Sequence, residues 1–400
     1  MKYVILVILF FSLVFPLTLP AEDAETTPPD TEKPDSLPGD EKEEERSDFI
    51  LEPDVHWIGA TLNLGFRGIE IIPGRDTIFW ASLGGEVDRR GYYFLPDGTP
   101  YTGGTSVEGE TGEEYEVDPA TDVLFWRGIV RWRMGLAQGL VWNPMQDRNW
   151  LEAYAFYTGY YEGYFQNEDA DQLLFRSDLP EKGGMFQNSI LSGLTIDTVR
   201  RDEKDKTYEG YYFGASVEWA PEWFGNDIIG TADYVRINST IKSFVPIFST
   251  VSDTGEHLFS SYIGLFTAVD YLTGPSIPLH AQQTIGGRYP RVGTGDAVRG
   301  VDVGRYSTPF KLVGNLEVRG NLPAFIWPEL IPGVLLYFDS GFYHDIIGET
   351  YGVLLTTGIG VFMDLFGFGE LVVYSQYYIN GTNVDGNSIT PLNFELGLHF

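Results

Sequence analysis

The sequence predicts an all-β protein: an antiparallel β-barrel that crosses a membrane with its strands. Three observations predict it. First, residues 391–400 alternate without a break, with Phe394, Leu396, Leu398 and Phe400 on one face and Asn393, Glu395, Gly397 and His399 on the other. Successive strand side chains point to opposite sides, so one face is apolar and the other polar or small. Taken alone, such a strand also suits the edge of a soluble sandwich. Lipid on one face and water on the other suit a barrel. Second, residues 122–137 repeat the design. Leu124, Trp126, Val130, Trp132, Met134 and Leu136 share one face, and Arg127, Arg131 and Arg133 share the other. Three unpaired guanidiniums cannot sit in a dry core, whereas a water-filled or acid-lined lumen accommodates them. Third, an export signal opens the chain, and no later segment approaches the roughly 18 consecutive apolar residues of a membrane helix.

The elements follow in order. Residues 1–21 read as a signal peptide: Lys2 supplies the positive start, residues 4–14 the apolar run, and Ala21 the cleavage site. Residues 22–50 read as a disordered, acidic, Pro-rich tether, with twelve acids against Lys33, Lys42 and Arg46. Of the formal charge of −31, the tether carries −9 and Lys2 +1, which leaves −23 on residues 51–400. So acidic a surface argues against nucleic acid as a partner. The chain has no cysteine, which removes disulfides, a lipoprotein anchor and thiolate-bound metal.

Residues 51–400 are the predicted barrel. Aromatic residues make up 15% of the chain and 47 residues are glycine, a stock that aromatic girdles and close strand packing would use. The first strand is expected over 55–67, where Ile58, Ala60, Leu62, Leu64 and Phe66 alternate with Gly59, Thr61, Asn63 and Gly65. Strands over 76–94, 122–137, 149–165 and 185–199 follow. In the next, 207–220, Tyr211, Phe213, Ala215, Val217 and Trp219 repeat the design opposite Glu218. Strands over 228–241, 257–272, 310–321, 333–343, 351–364, 369–380 and 391–400 complete the set. That set is odd, and a single-chain barrel with both ends in the periplasm needs an even number, roughly 12–16 here. At least one strand is therefore merged or hidden, with 88–120 and 242–250 the expected places. The polar segments 95–121, 166–184 and 273–309 read as outward loops, and 200–206 as a periplasmic turn. Residues 321–333, with Phe325, Ile326 and Trp327, read as a turn in the membrane interface.

Four short motifs then occur in order before the terminal strands: Gly286-Gly287, Ala297-Val-Arg-Gly-Val301, Gly314-Asn-Leu-Glu-Val-Arg319 and Leu336-Tyr-Phe-Asp-Ser-Gly341. Together they resemble the bacterial surface antigen superfamily, which comprises outer-membrane protein assembly factors, their translocation-module relatives and two-partner secretion transporters. The resemblance covers roughly residues 270–400. It implies that a long loop folds back into the lumen, with Arg299 at its tip meeting Glu317 and Asp339 on the inner wall. Gly300 and the pair Gly286 and Gly287 would provide tight turns beside it. It also implies that the terminal strand, with Phe400, Leu398 and Leu396, is presented to the assembly machinery during insertion. Residue alternation supports one part independently: Leu316 and Val318 flank Glu317, so Glu317 faces away from lipid.

The resemblance implies residence in the bacterial outer membrane and a role in outer-membrane biogenesis or in protein or lipid transport. Outer-membrane lipid is the expected surrounding. Members of the superfamily that insert or export proteins carry POTRA repeats before the barrel. Here the short tether stands in their place, so a separate POTRA-bearing or periplasmic partner is expected. Two other readings stay open, a porin-like solute channel and a surface-exposed antigen or adhesin. No catalytic group, metal or other cofactor is expected. The sequence lacks a G-x-S-x-G elbow, a Walker loop and an H-E-x-x-H pair, and its five histidines lack metal spacing.

Overall fold

The computed structural model describes residues 49–397 apart from 57–58, 70, 74, 94–105, 109–113, 117–121, 144–147, 166–183, 203, 254–256, 302, 328, 345–350, 366–368 and 381–387. The predicted signal peptide and the predicted tether up to residue 48 lie outside the described residues. The strands are β1 (Phe49–His56), β2 (Gly59–Ile69), β3 (Thr77–Tyr93), β4 (Ser106–Glu108), β5 (Glu114–Glu116), β6 (Asp122–Asn143), β7 (Arg148–Phe165), β8 (Met185–Asp197), β9 (Arg200–Asp202) and β10 (Thr207–Ala220). They continue as β11 (Asp233–Val251), β12 (His257–Ser276), β13 (Thr284–Ile285), β14 (Arg291–Val292), β15 (Phe310–Asn321), β16 (Leu330–His344), β17 (Tyr351–Leu365), β18 (Gly369–Asn380) and β19 (Ile389–Gly397).

Fourteen of these strands pair in one path, β1-β2-β3-β6-β7-β8-β10-β11-β12-β15-β16-β17-β18-β19. Each is antiparallel to the next, so the path is a continuous up-and-down meander. β9 pairs only with β10, while β4–β5 and β13–β14 form separate hairpins. Among the described residues no ladder joins β1 to β19. With an even number of strands on the path, the start of β1 and the end of β19 lie at the same rim. β3, β7 and β12 end at the opposite rim. No described helix is long and apolar enough to cross a membrane.

The residues are arranged inside out relative to a water-soluble core. On β16, Val334, Leu336 and Phe338 are exposed outward, while Leu335, Tyr337, Asp339 and Tyr343 are buried inward. On β15, Leu316 and Val318 are exposed, while Lys311, Glu317, Arg319 and Asn321 are buried. Period-two alternation places these charges on one face, and water does not reach them there except through the lumen. The outward apolar surface recurs on β6 as Trp126, Val130, Met134 and Leu136 and on β17 as Val353, Ile359 and Val361. A continuous exposed apolar girdle of this kind would aggregate in water and is at home in lipid. The three arginines of β6 find partners inside. Arg127 pairs with Glu162 at 3.0 Å, Arg131 with Glu86 at 2.9 Å, and Arg133 donates to the Arg288 carbonyl at 2.5 Å.

Three expectations need correction. The hidden strand is β1, just before the expected first one, and the sheet begins at Phe49. Pro53 and two acids disguised it, and an edge strand tolerates proline. Neither suspected region adds a path strand: 242–250 belongs to β11, and 88–120 contributes the end of β3 and the separate β4–β5 hairpin. β11 runs past its expected end because a register shift between Pro246 and Phe248 absorbs the proline. Finally, residues 200–206 are not a plain turn, since Arg200–Asp202 is itself a strand paired with β10.

Candidate functional site: an inward-folded loop and its wall

The connection between β12 and β15 spans residues 277–309. It holds α1 (Leu279–Gln282), the β13–β14 hairpin and α2 (Thr294–Ala297). Its side chains reach strands far apart on the sheet path. Arg288 pairs with Glu152 on β7, Arg299 with Asp339 on β16, and the Arg299 carbonyl accepts from Gln376 on β18. β7 and β18 are eight steps apart on the path, roughly 38 Å along a flat sheet at about 4.8 Å per step. One loop touches both because the sheet curls around it.

An apolar seat fixes the loop. Ile285 and Val298 pack with Phe266 and Ala268 of β12 and Val313 of β15. Burying a side chain of this size contributes about 1.5–3 kcal/mol.

The tip of the loop lies over a square of four wall residues. Strand pairing sets Asn315 opposite Asp339 and Glu317 opposite Tyr337. Arg299 donates to Asp339 from Nε at 2.7 Å, from Nη2 at 2.9 Å and from its own backbone N–H at 3.1 Å. Nη2 also lies 2.7 Å from Glu317 Oε1. The guanidinium carbon sits 3.7 Å from the centre of the Tyr337 ring. Asn315 Nδ2 donates to Asp339 at 2.8 Å and to the Ala297 carbonyl at 2.5 Å. A flat fork on two carboxylates and a ring face uses each recognition surface that arginine has. Burial disfavours the charge of Arg299, yet the hydrogen bonds and charge of Asp339, with Glu317, hold its pKa above the ordinary arginine value.

Gly300 completes the tip. Its φ of 81° lies in the left-handed region, and a Cβ there would strike the ends of Gln376 and Tyr378. The Tyr378 hydroxyl donates to the Gly300 carbonyl at 2.9 Å. The structure thus brings Arg299, Gly300, Glu317 and Asp339 together. Gly286 and Gly287 go elsewhere. The nearest atoms to a Cβ at Gly286 belong to Arg236, and at Gly287 to Asn238 and Ser216, so this pair lets the loop approach β10 and β11 rather than shaping the turn at Arg299. Leu396 pairs with Leu371 in the last ladder. Leu398 and Phe400 lie outside the described residues.

Two further contacts of the loop were not read from the sequence. Arg288 reaches Glu152 and lies over Tyr154, 5.4 Å from its ring centre. Arg236 and Lys311, both buried in the wall, donate to the carbonyls of Ala281, Gln282 and Thr284. Arg236 is countered by Glu218 at 3.1 Å and Asp270 at 3.3 Å. The loop is therefore held on three sectors of the wall. Period-two spacing carried a signal for Asn315 and Tyr337, since each shares a face with a predicted residue two places away. Nothing local pointed to Gln376, Tyr378 or Glu152.

No family model matches the sequence, and no curated protein matches it. Among solved structures, BamA from Haemophilus ducreyi lacking POTRA domains 1–3 matches with a TM-score of 0.51 at 10% identity, over 88% of this chain and 64% of that one. The antiparallel meander is thus similar in fold to the BamA barrel. CdiB from Escherichia coli matches at 11% identity with a TM-score of 0.45, over 88% of this chain and 66% of that one. The chain thus spans just under two thirds of the BamA structure.

Proposed function

We propose that this chain is an integral outer-membrane β-barrel of the assembly-factor type, acting in outer-membrane biogenesis or in protein or lipid transport as a scaffold or accessory subunit. One observation carries this reading: the loop between β12 and β15 lies inside the curled sheet, its arginine on two wall carboxylates. A loop anchored on three sectors of the wall obstructs the lumen, which weighs against an open solute channel. The outward apolar girdle supplies the lipid-facing surface. The resemblance to the surface antigen superfamily supplies the functional class, and client recognition is assigned to a separate periplasmic partner.

The direct test is depletion of the chain in its own bacterium, followed by measurement of the protein and lipid content of the outer membrane. Loss of one class of outer-membrane protein or lipid is the expected result. An unchanged outer membrane, with porin-sized conductance from the purified wild-type protein, would favour the solute channel.

A further inference from the structure

Residues 200–206, Arg-Arg-Asp-Glu-Lys-Asp-Lys, are seven charged residues in succession. A turn of that composition is expected to project into water. In the structure Arg200 and Lys204 do remain exposed, but Arg201 turns away from water. β8 and β10 pair as far as Asp197 and Tyr212, and β9 and β10 resume with Arg200 and Glu209. The two residues skipped on each strand form a kink without a slip of register. Gly210 supplies it with φ of 97°, and a Cβ there would strike the Thr198 carbonyl. Thr198 and Tyr211 tie the kink through N–H and hydroxyl bonds of 2.9–3.0 Å. Arg148 of β7 ties the kink further through Asp197 and the Val199 carbonyl.

Beyond the kink, the hairpin turns inward. Tyr208 packs against Phe244 and Tyr262, 5.6 and 5.8 Å between ring centres. Asn321 of β15 donates to the Lys206 carbonyl at 2.6 Å. Arg201 pairs with Asp364 of β17 at 2.6 Å, and both side chains are largely buried. β10 and β17 are five steps apart on the path, about 24 Å along a flat sheet. The hairpin therefore crosses the concave side.

β15 shows where this happens. Its inward residues follow one another down the lumen: Asn315 and Glu317 meet the loop, Arg319 comes next, and Asn321 meets the hairpin. Arg319 is bonded to Glu317 at 2.7 Å and to Glu370 of β18 at 2.7–2.8 Å. The loop and the hairpin thus stand one above the other, with a layer of paired charge between them. Asn321 ends β15, and Asp364 is the last residue but one of β17, so the hairpin lies at the rim where β1 begins.

We propose that the β9–β10 hairpin, through its described residues 198–202 and 204–210, is a second stopper, closing the lumen at the rim opposite the loop of residues 277–309. The two closures act in series, so releasing either one leaves the path blocked by the other. This inference rests on the plugged-barrel reading given under "Proposed function".

The test is conductance in planar bilayers, and the absence of native cysteine makes thiol chemistry clean. Arg201→Ala and Arg299→Ala should each conduct little, and the double variant several-fold more than their sum. A second variant, Arg299→Ala with Arg201→Cys and Asp364→Cys, should conduct like the double variant. A reversible bis-thiol crosslinker should return it to the level of Arg299→Ala, and a reductant should restore conductance. The proposal is overturned if Arg299→Ala alone reaches the level of the double variant, or if no variant exceeds wild type. It is also overturned if a crosslink verified by mass spectrometry leaves conductance unchanged, or if the two thiols react singly without joining. Protease resistance of the 277–309 loop in Arg299→Ala would count against the loop reading alone, because crosslink yield still judges the position of the hairpin.

Discussion

Arg299 meets Asp339 through three hydrogen bonds, one of them from its own backbone N–H. Asp339 is fully buried and, with Glu317, faces this guanidinium across the lumen. Removing the arginine leaves two carboxylates short of a partner. Arg299→Ala should therefore cost roughly 3–5 kcal/mol locally, as expected when one partner of a buried pair is lost. Limited proteolysis should then cut between Arg288 and Arg305. Arg299→Lys should fail to rescue, because a lysine offers neither the fork nor the stacking plane. Adding Asp339→Asn to Arg299→Ala should change little further, since the pair is already broken.

Arg288 holds the same loop on a different wall through Glu152. It shares no partner with Arg299. Arg288→Ala and Arg299→Ala should thus add nearly independently in a double-mutant cycle on loop protection, to within about 0.5 kcal/mol. A large coupling energy would mean that the loop moves as one rigid piece.

Gly300 and Gly304 are both left-handed, with φ of 81° and 76°. Only at Gly300 would a Cβ strike wall side chains, those of Gln376 and Tyr378. Each alanine substitution should incur about 1–3 kcal/mol of backbone strain. Gly300→Ala should in addition unseat the tip. Its loop should be cut faster than that of Gly304→Ala, and comparable rates would count against the close approach at Gln376.

His280 in α1 stacks on Tyr160, 4.2 Å between ring centres. Burial and the nearby charges of Arg236, Arg127 and Arg131 push its pKa well below the ordinary histidine value. The sign follows from linkage. The unfolded loop takes up a proton more readily than the seated one, so the seat is fully stable above about pH 6.5 and loses stability as pH falls below it. Protease sensitivity of the loop should rise between about pH 7 and pH 5, and His280→Gln should flatten that rise. Persistence of the full rise in His280→Gln would assign it to the carboxylates instead.

The fold was largely legible because period-two alternation survives in nearly every strand, and lipid demands it on one face. What hid β1 and the end of β11 was proline, which sequence reading takes as a strand breaker. An edge position and a register shift absorb it in Pro53 and Pro246. Arg299, Glu317 and Asp339 were legible as ordered motifs. Tyr337 and Asn315 could have been added from their spacing. Glu152, Gln376 and Tyr378 could not, because curvature of the sheet brings them to the loop and no local pattern encodes that curvature. The inward hairpin was illegible for the opposite reason: seven successive charges read as a solvated turn, and only the sheet reveals Asp364 waiting across the lumen.

The central claim is that the Arg299 contacts keep the loop seated inside the lumen. Val298 is fully buried beside Arg299 and is the position to probe. A membrane-impermeant maleimide applied to intact cells carrying Val298→Cys should label nothing while the lock is intact. It should label strongly once Asp339→Asn is added. Equal labelling of the two proteins would contradict the account.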